Sequence, residues 1–379
     1  MSATDRSPLF ERAAQGVRGL HPYEPGMPID ELQRRLGVAD VIKLASNENP
    51  LGPGDKVRAA LAESIDQGNL GLYPDGGGFR LKQRISRFHD IEPGRITLGN
   101  GSNDILEFAA RVFLNPGRAA MFSAYAFAVY PIVTQAQGAR AIVVPARPPG
   151  DAMPYGHDLE AFAEVLDDEV ALVFIANPNN PTGTWLTPDS IEAFLARVRP
   201  ETLVVLDEAY QEYLDPELRP DSRGLLDRYP NLVVTRTFSK TYGLASLRVG
   251  YGLSSPGIAD LLNRVRQPFN VNSLALLAAE AALDDQAHVE RSVALNAAQM
   301  LRLRTALEAM KLTVLPSQAN FLTIGFCCDS APIHQGLLER GLIVRPMGSY
   351  GLPQFLRVTV GTVAQNTRFL DALKAVLAQ

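Results

Sequence analysis

From about Arg95 onward the chain alternates short apolar runs with segments of helical spacing. RAAMFS, ARAIVVPA, VALVFIANP, TLVVLDEAY, NLVVTRTFS and RVGYGLS each carry an aliphatic or β-branched run of strand length, as strands buried on both faces do. Between them, NDILEFAARVFL and DSIEAFLARVR place apolar residues every three or four positions, the spacing of an amphipathic helix. This alternation predicts an α/β large domain, a mostly parallel sheet wrapped by helices. Further on, Val289, Val293, Met300, Leu303, Leu307 and Met310 mark one face of a long helix. ANFLTIGF and FLRVTVG come next as strands of a smaller α+β unit. We place the large domain at 48–275, and the small domain, with an N-terminal arm, in 1–47 and 276–379. The first twenty residues are polar enough to be partly mobile, and no internal repeat or low-complexity tract stands out.

Length agrees with this division, since 379 residues exceed one simple core. The composition, 46% hydrophobic and 20% charged, is that of an ordinary soluble protein. A net charge of -5 provides no basic footprint, so no nucleic-acid partner is expected. There is no 18-residue apolar run and no cationic-then-apolar start. The expectation is therefore no membrane association and a cytoplasmic location. Cys327 and Cys328 are adjacent, which rules out a disulfide framework and zinc-site spacing, and they read as small buried apolar residues. The five histidines are scattered, so no catalytic metal is expected.

Three strand ends carry polar groups that buried parallel strands do not otherwise need. VALVFIANPNNPTGT leads into Asn180, TLVVLDEAYQEY into Asp207, Glu208 and Tyr210, and LVVTRTFSK into Thr237, Ser239 and Lys240, with Arg248 beyond. In open α/β sheets ligands bind at the carboxyl ends of the strands. A lysine, an aspartate, a tyrosine, an asparagine and an arginine converging there match the needs of pyridoxal phosphate. Lys240 would hold the aldehyde covalently, and Asp207 would pair with the ring nitrogen. Tyr210 and Asn180 would hydrogen-bond the ring oxygen, while Arg248 would face the phosphate as a fork of donors. Upstream, RITLGNGSNDILEF supplies a strand, a glycine turn and a helix start, so Gly101, Ser102 and Asn103 would present backbone N–H groups to the same anion. Thr237 and Ser239 complete the cofactor-binding set. GNGSND has Asp104 in the place of the third glycine of a dinucleotide fingerprint, and Lys240 lacks the upstream glycine of a P-loop.

These stretches, with HPYEPGMP, KLASNENPLGP, LYPDGGGFRLKQ, FSAYAFAVY, RTFSKTYGLASLRVGY, RQPFNVNSLA, SQANFL and YGLPQFLRVTVG in order, resemble the fold-type I pyridoxal-phosphate aminotransferases along nearly the whole chain. Within them the pattern is similar to the histidinol-phosphate aminotransferases. The resemblance implies that Tyr125 stacks on the cofactor ring and that Tyr73 reaches the phosphate of a neighbouring subunit, making a homodimer with shared sites. It implies that Arg357 grips the substrate's anion with Arg345 as a second anion ligand, and that Tyr23, Asn47 and Asn320 lie near the substrate. Thr241, Ser246 and Gly77 depart from the commonest pattern, where alanine, glycine and serine are usual.

The activity implied is transamination between glutamate/2-oxoglutarate and histidinol phosphate/imidazole acetol phosphate, with Lys240 as cofactor anchor and proton carrier. The alternatives are an aromatic aminotransferase acting on phenylalanine, tyrosine or arogenate, and a lyase resembling threonine-phosphate decarboxylase. A cofactor-binding regulator would need a DNA-binding module that neither charge nor length provides.

Overall fold

The computed structural model describes residues 8–66 and 69–378. Its strands are β1 (Ile42–Lys43), β2 (Ile96–Gly99), β3 (Ala119–Ser123), β4 (Arg140–Val144), β5 (Val170–Ala176), β6 (Leu203–Asp207), β7 (Leu232–Thr237), β8 (Gly250–Ser254), β9 (Thr313–Val314), β10 (Phe321–Gly325), β11 (Leu342–Ile343), β12 (Arg345–Pro346) and β13 (Phe355–Thr359). Seven of them form one sheet in the order β2-β8-β7-β6-β5-β3-β4. The β3, β4, β5, β6 and β7 pairings are parallel, and β8 runs antiparallel to both neighbours, β7 and β2. Every residue of β5, β6 and β7 is buried, which is why their sequences are unbroken apolar runs.

The two faces of this sheet bury separate layers. Val173, Ile175, Val204, Leu206, Leu232 and Val234 pack with Leu81, Ile85, Phe162 and Phe194 on one side. Leu172, Phe174, Leu203, Val205 and Val233 pack with Ile105, Phe108 and Tyr130 on the other. A second sheet, β12-β13-β10-β9, and the β1-β11 pair meet a separate core in which the long helix Gln286–Ala309 contributes Met300, Leu303 and Leu307. β1 lies near the N-terminus yet pairs in parallel with β11, so the chain's beginning is stitched to its end.

Two expectations need correction. The boundary at 275 cuts through one helix, Ser273–Leu283, whose Leu276, Ala278, Ala279, Ala282 and Leu283 are buried in the large core together with Val289. Its alanine-rich face gave no periodic signal to separate it from the long helix Gln286–Ala309. Cys327 and Cys328 are exposed, because they fall in the turn after β10 rather than on it. Residues 1–7 of the segment expected to be mobile lie outside the described residues. Beyond them, Gln15–Arg18 forms a helical turn packed on the helix Val129–Ala136, with Gly16 against Gln135.

One close approach ties the sheet to the helix after β2. A Cβ at Gly250 would stand 2.5 Å from the Ser102 nitrogen and 2.8 Å from the Arg236 oxygen, both backbone atoms that have no side-chain freedom to yield. Gly250→Ala is expected to lower stability by about 1–3 kcal/mol, the usual cost of overpacking. Gly257→Ala, at an open position in the helix Pro256–Val265, is expected to be neutral or stabilising by ~0.5–1 kcal/mol. Urea midpoints of the two variants check the contrast.

Candidate active site

The carboxyl ends of β2, β5, β6 and β7 open on one edge of the large sheet, and the small unit closes over it. An antiparallel strand begins where parallel neighbours end, so β8 brings Arg248, two residues before its start, to that same edge. The result is a cavity of about 250 Å³. Its walls include Lys240, Asp207, Tyr210, Asn180, Thr237, Ser239, Ser102, Asn103, Arg248, Tyr23, Asn47, Arg345 and Arg357.

Strand parity sorts the polar groups. Asp207 is opposite Thr235 in the ladder and accepts its hydroxyl at 2.9 Å, while the Tyr130 hydroxyl donates to the other carboxylate oxygen at 2.9 Å. One residue on in each strand, Glu208 and Arg236 face the opposite side and pair at 2.6 Å, with Ser222 donating to the same carboxylate. Burial raises the Asp207 pKa, and the Tyr130 and Thr235 hydrogen bonds hold it back by favouring the carboxylate. Glu208 is therefore a buried structural acid, outside the cavity wall.

Lys240 donates to the Ser46 carbonyl at 3.2 Å, and its ammonium lies 5.5 Å from the centre of the Tyr210 ring. Burial, then the positive charge of Arg357, pull its pKa down to about 8. A lysine in that range is neutral often enough near pH 7–8 to act as nucleophile or base.

At the rim, Gly101 opens the helix Ser102–Phe113 with φ 80° and no side-chain cap, leaving the first N–H groups of the helix free for an anion. Arg248 donates to the Ser239 hydroxyl at 3.2 Å and to the Ala245 carbonyl at 3.1 Å. Its guanidinium lies 2.6 Å from where a Cβ of residue 101 would be, so only glycine fits beneath it. These residues form a candidate anion cradle. Together with the amine of Lys240 and the carboxylate of Asp207, they fit pyridoxal phosphate: an aldehyde partner, a ring-nitrogen partner and an anion cradle.

In the part of the wall that the small unit supplies, Arg345 and Arg357 are directly paired across β12 and β13, and both are nearly buried. Arg357 donates to the Asn180 side-chain oxygen and, at 2.9 Å, to the Ala45 carbonyl, while its Nε has no partner. The Arg345 guanidinium lies 5.9 Å from the Tyr23 ring centre. Neither has a carboxylate partner among the described residues. Two adjacent buried guanidiniums without an acid make this a second candidate anion site.

Three expected side chains lie off the cavity wall. Asn320 stands behind it and donates to the Asn47 carbonyl at 3.0 Å. Tyr125 packs edge-on against Tyr155, with centroids 5.3 Å apart, and Phe127 lines the cavity two residues later. Tyr73 is 83% exposed and stacks on Phe269 at 4.8 Å, outside the wall of its own chain's cavity. Sequence reasoning passed over Tyr130, Thr235, Phe127 and the Ala45 and Ser46 carbonyls. Thr235 was recoverable from its alternation with Thr237 along β7; the carbonyls left no side-chain signal.

A family model of aminotransferase class I and II matches residues 39–373. The chain belongs to this family. It is 53% identical over 378 residues to histidinol-phosphate aminotransferase 2 of Pseudomonas aeruginosa, covering 98% of this chain and 99% of that protein. It is 51% identical over 375 residues to histidinol-phosphate aminotransferase 1 of Nitrosococcus oceani, with 98% of each covered. The crystal structure of histidinol-phosphate aminotransferase from Sinorhizobium meliloti in complex with pyridoxal-5'-phosphate superposes with a TM-score of 0.88 at 28% identity, covering 100% of this chain and 99% of that one.

In the cofactor-free protein, competitive acylation of Lys240 is expected to be half-maximal near pH 8, against an ordinary value of 10.5. Reactivity rises with pH as the ammonium loses its proton, and peptide mapping reads the profile. A midpoint above pH 10 would mean that the cavity does not shield the amine.

Proposed function

We propose that this chain is a pyridoxal-phosphate-dependent transaminase that moves an amino group between glutamate/2-oxoglutarate and histidinol phosphate/imidazole acetol phosphate, in histidine biosynthesis. The observation that carries this reading is the pair of candidate anion sites on one cavity, one around Gly101, Ser102 and Arg248, the other at Arg345 and Arg357. The first suits the cofactor's phosphate. The second, with two guanidiniums, suits a substrate phosphate and also the distal carboxylate of glutamate, so one site can serve both partners of the exchange. The likeness to the proteins from Pseudomonas aeruginosa and Nitrosococcus oceani supports the same substrate pair.

When bound, the cofactor supplies an electron sink for the charge left on the substrate's α-carbon after proton removal. The chain's residues do the rest. The Lys240 amine would take the substrate's α-proton and carry it, a task matched to a pKa of about 8. Asp207, whose carboxylate accepts from Tyr130 and Thr235, would face the ring nitrogen. Arg357 and Arg345 would fix the substrate by its anion, and Tyr23 and Phe127 add aromatic surface to the wall.

A cytoplasmic location and a two-fold dimer belong to the same proposal. Tyr73 and Phe269 form an exposed aromatic pair that suits insertion at a partner's site.

Amino transfer from glutamate to imidazole acetol phosphate, assayed beside phenylpyruvate, 4-hydroxyphenylpyruvate and prephenate, tests the substrate. The expected result is at least a ~10²-fold preference in kcat/KM for the phosphorylated acceptor, from charge pairing that a neutral ring cannot match. Preference for an aromatic acceptor, or release of carbon dioxide from threonine phosphate, would replace the reading.

For assembly, Lys240→Ala homodimers are mixed with homodimers carrying a disabling Tyr73 substitution, and subunits are allowed to exchange. Random exchange makes about half the dimers hybrid, each with one intact site, so roughly a quarter of all sites recover activity. No gain despite demonstrated exchange would put Tyr73 outside the partner's site.

A further inference from the structure

Asn47 is 1% exposed, has a positive φ of 58° and is engaged at four points. Its backbone N–H donates to the Thr359 hydroxyl at 2.9 Å, and its carbonyl accepts from Asn320 at 3.0 Å. Its side-chain oxygen accepts from the Thr359 hydroxyl at 3.2 Å, and its side-chain NH₂ donates to the Tyr210 hydroxyl at 2.9 Å. These bonds have a parity. A hydroxyl carries one proton, so once the Thr359 oxygen accepts the Asn47 N–H, its own proton is available for the amide oxygen. With the amide oxygen turned toward Thr359, the NH₂ must face Tyr210, and an NH₂ can only donate. The Tyr210 oxygen is thus an acceptor on that side, and its own proton has no acceptor among the described residues except what enters the cavity.

We infer that Thr359, acting through Asn47, is a positioning residue that fixes Tyr210 as a hydrogen-bond donor into the cavity. This rests on the proposed transaminase reading, in which Tyr210 faces the ring oxygen of the cofactor. Thr359 is two residues beyond Arg357 on β13 and therefore on the same strand face. The strand that holds the substrate's anion also sets the tyrosine's proton. Substrate grip and proton orientation are carried by one rigid element, paired along its whole length with β10.

The test compares Thr359→Val, which keeps the shape and removes the hydroxyl, with Thr359→Ser, which restores it; Thr359→Ala replaces the valine variant if that one does not fold. In the cofactor-free protein, the Tyr210 signal in a tyrosine ¹³Cζ spectrum, assigned by its loss in Tyr210→Phe, is expected to shift in the valine variant and return in the serine variant. In the holoenzyme, the pH midpoint of the absorbance of lysine-bound cofactor is expected to rise by about 0.5–1 unit in the valine variant, toward the Tyr210→Phe value, and to recover with serine. An unmoved ¹³Cζ signal, or a serine variant that behaves like valine, would overturn the inference. A wild-type protein that binds no cofactor at Lys240 would instead overturn the transaminase reading, and the cofactor-free spectrum would still decide whether Thr359 orients Tyr210.

Discussion

The charge inside the cavity is out of balance, and much of the structure answers to that. Lys240, Arg248, Arg345 and Arg357 surround it, and Asp207 is the only carboxylate in its wall among the described residues. Cations withdrawn from water without partners are costly. The protein spreads that cost in three ways. The lysine moves toward its neutral form, Arg357 leans on the Ala45 carbonyl and the Asn180 amide, and Arg248 stays at the solvent-exposed rim. The remaining imbalance is what anionic ligands relieve, and it favours ligands that bring two separate negative groups.

Holding these cations close without letting them repel each other apart falls to the sheet and to one crossing segment. β6 and β7 fix Asp207 and Thr235 in register, with Glu208 and Arg236 neutralising each other on the reverse face. The strip from Ala45 to Asn49 then runs between the two cores. Ala45 accepts from Arg357, Ser46 accepts from Lys240, Asn47 contacts Tyr210 and Thr359, and Asn49 donates to the Thr241 carbonyl and the Ser292 hydroxyl. Four of these five consecutive residues thus tie anchor, anion grip and tyrosine to each other, half of their bonds running through backbone atoms.

That reliance on backbone sets what was legible in the sequence. Buried parallel strands announce themselves by composition, so the sheet, Lys240 at its edge and Asp207 beside it could be read directly. The GNG turn and Arg248 followed from the chemistry of phosphate. Arg345, Arg357, Tyr23 and Asn47 rested on resemblance, because no local pattern distinguishes an arginine turned inward on a strand from one turned out. Carbonyl acceptors could not be read at all. The helix Ser273–Leu283 was divided wrongly because alanines every few residues fill a core as well as leucines do but carry little periodic contrast, and the cysteine pair was misjudged because residue type alone does not show that it falls in a turn after β10.

The N-terminal arm is fastened at both ends. Gly16 sits so close to Gln135 that a Cβ there would be 1.9 Å from its carbonyl oxygen, and Leu32 is buried with Ala45, Leu338 and Ile343 in the small unit. Tyr23 hangs between these anchors, its ring 6.4 Å from Phe127 and beside Arg345. The span from Gly19 to Pro28 is thus bounded on each side by packing elsewhere in the chain, and its Tyr23 and Gly26 form part of the cavity wall. Its course over the cavity is set by chain length between two fixed points, so this part of the wall owes its position to the fold and not to a ligand.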